Sequence, residues 1–478
     1  MFPSKFPGLS ILLAFALLWV VAKPVVAQQA PAEFIKELSF SGGPNDALPF
    51  WLSANQFGVI PSQKASGQLR LTYSLPLASQ SAFSYNIGAD VIGRAASNST
   101  LFFQQLYGEI TWGPFLLRAG RKEETAGNVH ALSSGSMVLS NNAAPITGIS
   151  ISWPTYVTVP RTGTFLAIKG ALKHGWVDGY RITTNPYLHS KSVFFRLGKD
   201  EWPVHIHAGL LHYAMWGGTH RKESFGKLPS TFNDYLRVFF FRGADNDALI
   251  EGEQLNALGN SLGAYDFSII YTTDNFKLHI YRQFYLEDTV STRFRNLWDG
   301  LWGLGLSINK HQNWAEEILW EVVNLKRQGA IGGEPTGTDN YYNHFVYSSG
   351  WTHRGRTLGT PVILMRPGQV GVFNNILHAQ HFTMRGSLSP STQYKLLFTY
   401  SRNHGVNSIY RDLGFGFTME NARFPDAMNQ YAAGLYLKQI VGRDAKLSLF
   451  TRLAYDWGEV LTDKNFGVTV GLTHSGGF

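Results

Sequence analysis

The stretch FGVTVGLTHSGGF, residues Phe466 to Phe478, carries the pattern that decides the fold. Side chains of a β-strand alternate between its two faces, so the four apolar residues at even positions from 466 to 472 share one face. The other face carries only glycine and threonine, and the stretch ends on an aromatic residue. This alternation predicts either a lipid-facing strand of a membrane β-barrel or an edge strand of a soluble sheet.

The composition favours the membrane barrel. Apolar residues make up 44% of the 478 residues and charged residues only 15%, whereas an ordinary soluble protein carries about 25% charged residues. After residue 27, no segment is long and apolar enough for a transmembrane helix. A membrane protein without such helices must be a closed barrel, because lipid offers no hydrogen-bond partner to an open sheet edge.

The first 27 residues predict a cleaved secretory signal peptide. Lys5 precedes an apolar run over residues 9–22, and Val25-Val26-Ala27 is a small-residue cleavage site before Gln28. A retained anchor helix is the alternative, but the run is short for a membrane span and is followed by lysine and proline at 23–24. Removing the two leader lysines lowers the formal charge from +8 to +6, which weakly favours an anionic partner. The chain has no cysteine, so disulfide and thiol chemistry are excluded.

The chain divides into a signal peptide at 1–27, an N-terminal periplasmic or plug segment at 28–66 and an outer-membrane barrel at 67–478. Residues 32–38 predict a short helix in the second segment. The predicted fold is an all-β membrane protein, a single antiparallel transmembrane β-barrel of about 18 strands with long loops obstructing its lumen. The strands are predicted at 68–76, 82–92, 101–112, 114–121, 146–153, 163–173, 190–198, 204–213, 264–272, 275–286, 301–308, 315–325, 343–352, 378–389, 393–403, 429–440, 445–457 and 465–474.

Six separated stretches resemble the Wzi capsule-assembly family of outer-membrane β-barrels. They are PFWLSANQFG (49–58), LSSGSMVLSNNAAPI (132–146), GLLHYAMWGG (209–218), GEQLNALGNSLGAYD (252–266), RQFYLED (282–288) and YNHFVYSSGWTHRGRTLGTP (342–361). The resemblance implies an eighteen-stranded barrel whose lumen is obstructed by helices and loops. It also implies a surface lectin that helps to hold exported capsular polysaccharide on the cell, rather than an enzyme.

Ionisable residues on the predicted strands alternate with the apolar face and are expected to point into the lumen. They are Asp90, Glu109, Glu321, Lys446, Arg452 and Asp456. A structural salt-bridge network that braces a plugged barrel is the favoured interpretation, since ionisable groups in such a place must be paired or hydrated. A polar conduit is the alternative.

The long loops are the predicted place for sugar binding, because saccharide sites combine an aromatic platform with arginine and polar side chains. The predicted polysaccharide-binding residues are Trp216, His220, Arg221, Tyr235, Arg237, Trp351, His353, Arg354 and Arg356. Packing of one loop on another is an equally good explanation for any one of them.

Other chemistry finds little support in the sequence. His205 and His207 share a strand face, but no third ligand is evident, so we predict no metal and no cofactor. No basic run with interleaved aromatic residues points to nucleic acid.

The sequence therefore predicts a non-enzymatic outer-membrane protein that binds surface (capsular) polysaccharide and supports its assembly or attachment at the cell surface. The expected partners are that polysaccharide, outer-membrane lipid and lipopolysaccharide, and the barrel-assembly machinery through the C-terminal strand ending at Phe478. A diffusion porin for small solutes is the alternative, and an outer-membrane enzyme acting on lipid or glycan is a third possibility.

Overall fold

The computed structural model describes residues 33–477, except 63–64, 78–81, 97–98, 245–256, 288–293, 295, 310–312, 329–338, 366–370, 413–416, 443 and 462. The predicted signal peptide and Phe478 lie outside the described residues. The helices are α1 (Phe50–Ser53) and α2 (Phe232–Phe239). The strands are β1 (Glu33–Gly42), β2 (Ser66–Leu77), β3 (Phe83–Ala95), β4 (Thr100–Trp112), β5 (Phe115–Arg121), β6 (Thr147–Thr158), β7 (Leu166–Trp176), β8 (Thr183–Thr184), β9 (Tyr187–Leu197), β10 (Val204–Trp216), β11 (Thr219–His220), β12 (Asn260–Thr272), β13 (Phe276–Leu286), β14 (Gly300–Ile308), β15 (Glu317–Asn324), β16 (Thr352–His353), β17 (Arg356–Thr357), β18 (Leu377–Ser389), β19 (Thr392–Asp412), β20 (Phe417–Val441), β21 (Leu447–Gly458) and β22 (Asn465–Gly477).

Eighteen of these strands form one antiparallel sheet that closes on itself. Each strand pairs with the next in chain order, and β1 pairs with both β2 and β22. Leu38 of β1 lies opposite Leu69 on one side and Leu472 on the other. The remaining short strands form two separate pairs, β8 with β11 and β16 with β17. The predicted eighteen-stranded barrel is confirmed.

Two of the predicted elements are wrong, and the errors cancel in the strand count. Residues 33–42 form the first barrel strand rather than a helix or plug, so the barrel begins well before residue 67. The charges in EFIKEL hide the alternation of this strand, in which Leu38 and Phe40 are exposed while Ser39 and Ser41 are buried. Residues 343–352 do not form a barrel strand. Val346, Tyr347 and Trp351 are buried, so the apolar residues that led to the strand prediction belong to a core.

The connections differ between the two ends of the barrel. β1 begins and β22 ends at the same end, here called the terminal end, and its connections are short, such as 113–114 and 390–391. Segments 43–65, 122–146, 217–259 and 325–376 leave the opposite end, here called the loop end. Tight turns at one end and long loops at the other are typical of outer-membrane barrels.

The outward faces of the strands are apolar and carry aromatic rings at both ends. At the terminal end, Trp112 stacks on Phe83 and Phe115, each with 5.9 Å between ring centroids. At the loop end, Trp457 stacks on Tyr431 at 5.2 Å and on Tyr455 at 5.5 Å. Two aromatic levels that flank an apolar band match the girdles of a transmembrane barrel. In the described part of the chain, no helix has the length and apolarity to cross a membrane.

The structure explains why one face of β22 carries a small residue at position 467. Gly467 faces the lumen, where a Cβ atom would lie 2.6 Å from Pro49 and 2.8 Å from Leu52. Both neighbours belong to the α1 region, which is held inside the barrel. Gly467 therefore leaves room for an internal segment, while the apolar residues of the opening stretch face outward.

Helix α2 lies against the outer wall of the barrel. Its capping box joins Thr231 and Asp234: the Thr231 N–H donates to Asp234 Oδ2 at 2.7 Å, and the Asp234 N–H donates to Thr231 Oγ1. Tyr235 contacts Trp216 at 5.8 Å and His189 at 5.5 Å between ring centroids. Trp216 and His189 are each separated by an even number of residues from exposed apolar side chains of the same strand. Residues at even spacing share one face of a strand, so both side chains face outward. The helix therefore covers outward-facing wall residues near the loop end.

Candidate functional site

An apolar core occupies the lumen on the side of the loop end. Side chains of segments 122–146 and 341–363 pack together and against inward-facing wall residues such as Phe194, Leu211 and Leu319. We call these two segments, together with segment 43–65, the plug. Close packing of apolar side chains leaves little space for water. The lumen is thus obstructed by folded chain at this level.

Hydrogen bonds join the plug segments to one another. The indole N–H of Trp351 donates to the Val138 carbonyl at 2.8 Å, and the Tyr342 hydroxyl donates to the Met137 carbonyl at 2.5 Å. Asn142 Nδ2 donates to the carbonyl of Thr357 at 3.0 Å. Buried polar groups that are satisfied in this way fix a single packing of the two segments.

Wall residues hold the plug through hydrogen bonds to its backbone. The buried carboxylate of Glu321 accepts from the Ser133 hydroxyl and the Ser134 N–H, both at 2.6 Å. Asp456 Oδ2 accepts from the Phe50 N–H at 2.7 Å, at the start of α1. These carboxylates face the lumen, as the alternation predicted, and each contacts a plug segment.

Two further members of the predicted lumen set form ion pairs. Asp90 accepts from Arg70 at 2.5 Å, and the same guanidinium pairs with Glu123 at 3.0 Å. Glu109 accepts from Arg118 at 2.7 Å and from Lys122 at 2.9 Å. Glu123 and Lys122 lie at the start of the plug segment 122–146.

The last two members differ from each other. Arg452 donates to Gln56 Oε1 of the plug at 2.8 Å and also lies over the Tyr436 ring. Lys446 lies in the exposed turn before β21 at the terminal end, so its predicted place in the lumen is wrong. The prediction failed because the strand begins at Leu447, one residue after the lysine.

Burial removes four of the nine predicted sugar-binding residues from the surface. The buried ones are Trp216, His220, Trp351 and His353. Trp351 is 0% exposed, because its ring belongs to the apolar core of the plug. Arg356 donates to the Ile60 carbonyl at 2.7 Å, and burial lowers its pKa to about 10, so it braces the plug as a cation.

Three predicted sugar-binding residues belong to helix α2 or lie beneath it. Trp216 lies on the outward face of β10 and is covered by Tyr235 of α2. Arg237 donates to the Gly243 carbonyl at 3.0 Å, just beyond the same helix. These three side chains therefore lie on the outside of the wall rather than at the mouth of the lumen, and the site proposed from the sequence does not assemble there.

The exposed residues of the set, Arg221 and Arg354, meet in one surface cluster with residues of the loop that follows β7. The Arg221 guanidinium lies 4.1 Å from the centroid of the Tyr180 ring and donates to its hydroxyl at 2.7 Å. Arg354 Nη2 pairs with Asp178 at 2.5 Å, and Arg121 pairs with the same carboxylate at 3.0 Å. We call these five residues the loop-end cluster.

The loop-end cluster is held in place and carries excess positive charge. The Arg221 N–H donates to the Ile182 carbonyl at 3.1 Å, and residues 219–220 pair with 183–184, which fixes the two loops together. The buried His353 ring contacts Asp178 through Nε2, and its Nδ1 lies 2.8 Å from the Ala144 carbonyl. Arg121 and Arg354 pair with the Asp178 carboxylate, while Arg221 lies on the Tyr180 ring. The cluster thus holds three guanidinium groups and one carboxylate, so it can accept a further anion.

The carboxylate of Asp178 organises this cluster electrostatically. Burial alone would raise the pKa of Asp178, but hydrogen bonds from His353 and Arg354 and their positive charges hold that pKa well below its usual range. The carboxylate therefore stays ionised through the neutral and mildly acidic range. Tyr180 projects beside it with 81% of its surface exposed, which leaves ring surface available to a ligand.

Comparison with known proteins places the chain in a family. The family model described as capsule assembly protein Wzi matches residues 51–362. The chain belongs to the Wzi capsule-assembly family. Wzi of Escherichia coli, described as an outer membrane protein involved in group 1 capsule assembly and a carbohydrate-binding β-barrel, aligns with a TM-score of 0.57 at 14% identity, over 93% of this chain and 84% of that one. The outer membrane protein OpdK of Pseudomonas aeruginosa aligns with a TM-score of 0.50 at 8% identity, over 94% and 99%.

These structural likenesses show the fold alone. No match was found among curated protein sequences. In this chain, the described residues of the stretches that carried the resemblance lie mostly in the plug and the barrel wall. The stretch 342–361 contributes Tyr342 and Trp351 to the core and only Arg354 to the loop-end cluster.

Sequence reasoning missed Asp178 and Tyr180. Both lie in VDGYR, a short connection between two strands, and neither aromatic content nor length distinguishes it from an ordinary turn. Its glycine has a positive φ of 96° at Gly179, which marks a tight turn. The Asp-Gly-Tyr order is the signal that was available, since it places a carboxylate and an aromatic side chain at a turn tip.

Proposed function

We propose that this protein binds an acidic surface polysaccharide on its loop-end cluster and holds the polymer at the outer membrane, without acting on it chemically. The observation that carries the proposal is the exposed Tyr180 ring, flanked by Arg221 and braced through Asp178 and Arg354. Membership of the Wzi capsule-assembly family supports it. So does the fold shared with an Escherichia coli protein described as a carbohydrate-binding β-barrel.

The geometry suits a negatively charged sugar. The Arg221 guanidinium occupies one side of the Tyr180 ring, and the exposed remainder of the ring is a platform for the apolar face of a sugar. Guanidinium groups bind carboxylates through paired, directed hydrogen bonds. Arg221 and Arg354 therefore supply the charge complement, and the partly used guanidinium of Arg354 retains exposed surface.

The obstructed lumen disfavours the porin alternative. Apolar residues from two plug segments meet wall residues in a continuous core, and several wall carboxylates bind the plug backbone. A polymer held outside such a barrel has no path through it at this level. We therefore place polymer binding on the outer surface of the loop end and not in a channel.

The location and processing belong to the same proposal. The apolar band with its two aromatic girdles supports an outer-membrane location in contact with lipid and lipopolysaccharide, with the loop end outside. We propose that residues 1–27 are removed on export and that the barrel-assembly machinery recognises the C-terminal strand. N-terminal sequencing of the mature protein tests the first point, and the expected first residue is Gln28.

The partition of surface polysaccharide between cells and medium tests the main proposal. The gene is deleted and then restored as the wild type, as Tyr180→Ala with Arg221→Ala, or as Lys199→Ala at the terminal end. Deletion is expected to release polymer into the medium without lowering its total amount. The wild type and Lys199→Ala restore attachment, and the cluster variant does not. An unchanged partition on deletion, or full restoration by the cluster variant, refutes the proposal.

Binding by purified protein separates attachment from synthesis. Polygalacturonate serves as an acidic polymer and dextran as a neutral control. The wild type is expected to bind polygalacturonate about tenfold more strongly than the double variant, since a cation and an aromatic platform are lost together. Tyr180→Phe keeps the ring and should retain most of the binding. Equal binding of both polymers would contradict the charge-based part of the proposal.

A further inference from the structure

A groove with a volume of about 1050 Å³ lies on the outer face of the barrel near the loop end. Strands β13, β14, β15, β18 and β19 contribute to its lining. The groove is outside the lumen, because Trp302, Leu304 and Trp320 point into it and all three are on the exposed face of their strands. It is separated in the sheet from β7, β9 and β10, which adjoin the loop-end cluster.

The wall beneath and around the groove changes from apolar to cationic towards the loop end. One row across β15, β18 and β19 is Trp320, Phe382 and Phe398, which lie opposite one another in the sheet. Four residues closer to the loop end, the corresponding row is Asn324, His378 and Arg402. Because a strand rises about 3.3 Å per residue, the two rows are about 13 Å apart along the strands.

Three cationic side chains form the rim of the groove. Lys326 and Arg327 follow β15 and join Arg402 at the rim. In the part of the chain that the structure describes, none of these three side chains forms an ion pair within 4 Å. The nearby carboxylate of Asp299 is fully buried and accepts instead from the backbone N–H groups of Arg327 and Gln328.

We propose that this groove binds a phosphorylated glycolipid of the outer leaflet, with its acyl chains along Leu304 and Trp320 and its phosphate groups at Lys326, Arg327 and Arg402. The apolar part of the groove continues the lipid-facing band of the barrel, so hydrocarbon chains reach it from the membrane. The rim lies beyond the aromatic row, at the level where aromatic girdles meet lipid headgroups.

The inference rests on the outer-membrane location in the proposed function, but not on polysaccharide binding. The two ligands use different strands and different side chains. A variant of the groove rim is therefore expected to retain surface polymer, and a variant of Tyr180 and Arg221 is expected to retain lipid. Failure of one proposal leaves the other unaffected.

Native mass spectrometry of the delipidated full-length mature protein in detergent tests the groove. The probes are bisphosphorylated lipid A, the same lipid without its phosphates, and inorganic phosphate. The wild type is expected to bind one bisphosphorylated lipid and to bind the dephosphorylated lipid about tenfold more weakly, which corresponds to about 1.4 kcal/mol. Equal binding of the two lipids would overturn the proposal, and so would inorganic phosphate binding as tightly as the lipid.

Substitutions assign the binding to the groove. Lys326→Gln combined with Arg402→Gln removes two rim cations and is expected to weaken binding of the bisphosphorylated lipid about tenfold. Lys446→Gln removes an exposed cation at the terminal end and should leave it unchanged. Both variants should show the wild-type heat-dependent shift on gel electrophoresis, which reports an intact barrel. Wild-type lipid affinity in the double variant would remove the groove as the site.

Discussion

Trp351 and Tyr180 are aromatic residues of neighbouring loops at the same end of the barrel, yet their environments are opposite. The Trp351 indole is buried in the plug, and its N–H donates a hydrogen bond to the Val138 carbonyl. Tyr180 is mostly exposed, and its hydroxyl accepts a hydrogen bond from Arg221. Both are close to arginine in sequence or in space, so the residue types alone do not separate a packing aromatic from a binding aromatic. The distinction comes from which loops fold back into the lumen.

The largest effect is expected from Trp351→Ala. Removing a fully buried tryptophan from a core typically costs about 3–5 kcal/mol in the free energy of unfolding, and here it also leaves the Val138 carbonyl without its donor. Tyr180→Ala is the matched control and should cost less than about 0.5 kcal/mol, since its ring is exposed. Thermal unfolding in detergent measures both. Similar losses in the two variants would contradict the division between plug and surface.

A smaller effect is expected where the wall holds the plug. Glu321→Ala leaves the buried Ser134 N–H without its acceptor, at about 1–3 kcal/mol, and also removes the acceptor of the part-buried Ser133 hydroxyl. Segment 122–146 should loosen, and a planar bilayer should then show conductance steps that the wild type lacks. Glu317→Gln is the control, because its carboxylate forms an ion pair with Arg385 of the next strand at 2.9 Å. Steady open steps in the wild type would instead favour a porin.

The sequence predicted the barrel well because strand alternation depends only on the contrast between lipid and lumen. The positions of Glu321 and Asp456 followed from the same alternation. Strand β1 was not predicted, because its charged residues interrupt that contrast. Residues 343–352 were wrongly predicted as a strand, because a segment in the core of the plug is rich in apolar residues. Which loops enter the lumen depends on contacts between residues far apart in the chain, such as Trp351 with Val138. Periodicity within a segment carries no information about such contacts.

A subtler effect should appear within the loop-end cluster itself. Tyr180 and Arg221 are in direct contact, so their substitutions should not be additive in the free energy of binding to an acidic polymer. A double-mutant cycle is expected to give a coupling of about 0.5–1 kcal/mol, the usual range for an exposed cation–π pair. Arg354 with Tyr180 provides the comparison cycle, and its coupling should be smaller because Arg354 bonds to Asp178 instead. Strict additivity for Tyr180 and Arg221 would mean that the pair does not act as one platform.

The smallest effect is expected in the pH dependence of stability, through Asp178 of the loop-end cluster. A carboxylate whose pKa is depressed in the folded protein stabilises the fold while ionised, so the contribution of Asp178 is present above about pH 4 and is lost as the pH falls through the folded value. The side chain is 42% exposed, so solvent screening limits the gain to about 1 kcal/mol or less. The difference in melting temperature between wild type and Asp178→Asn should therefore stay constant from about pH 8 to pH 5 and narrow below about pH 4. A difference that instead grew on acidification would show that Asp178 is not held ionised by its arginine and histidine partners.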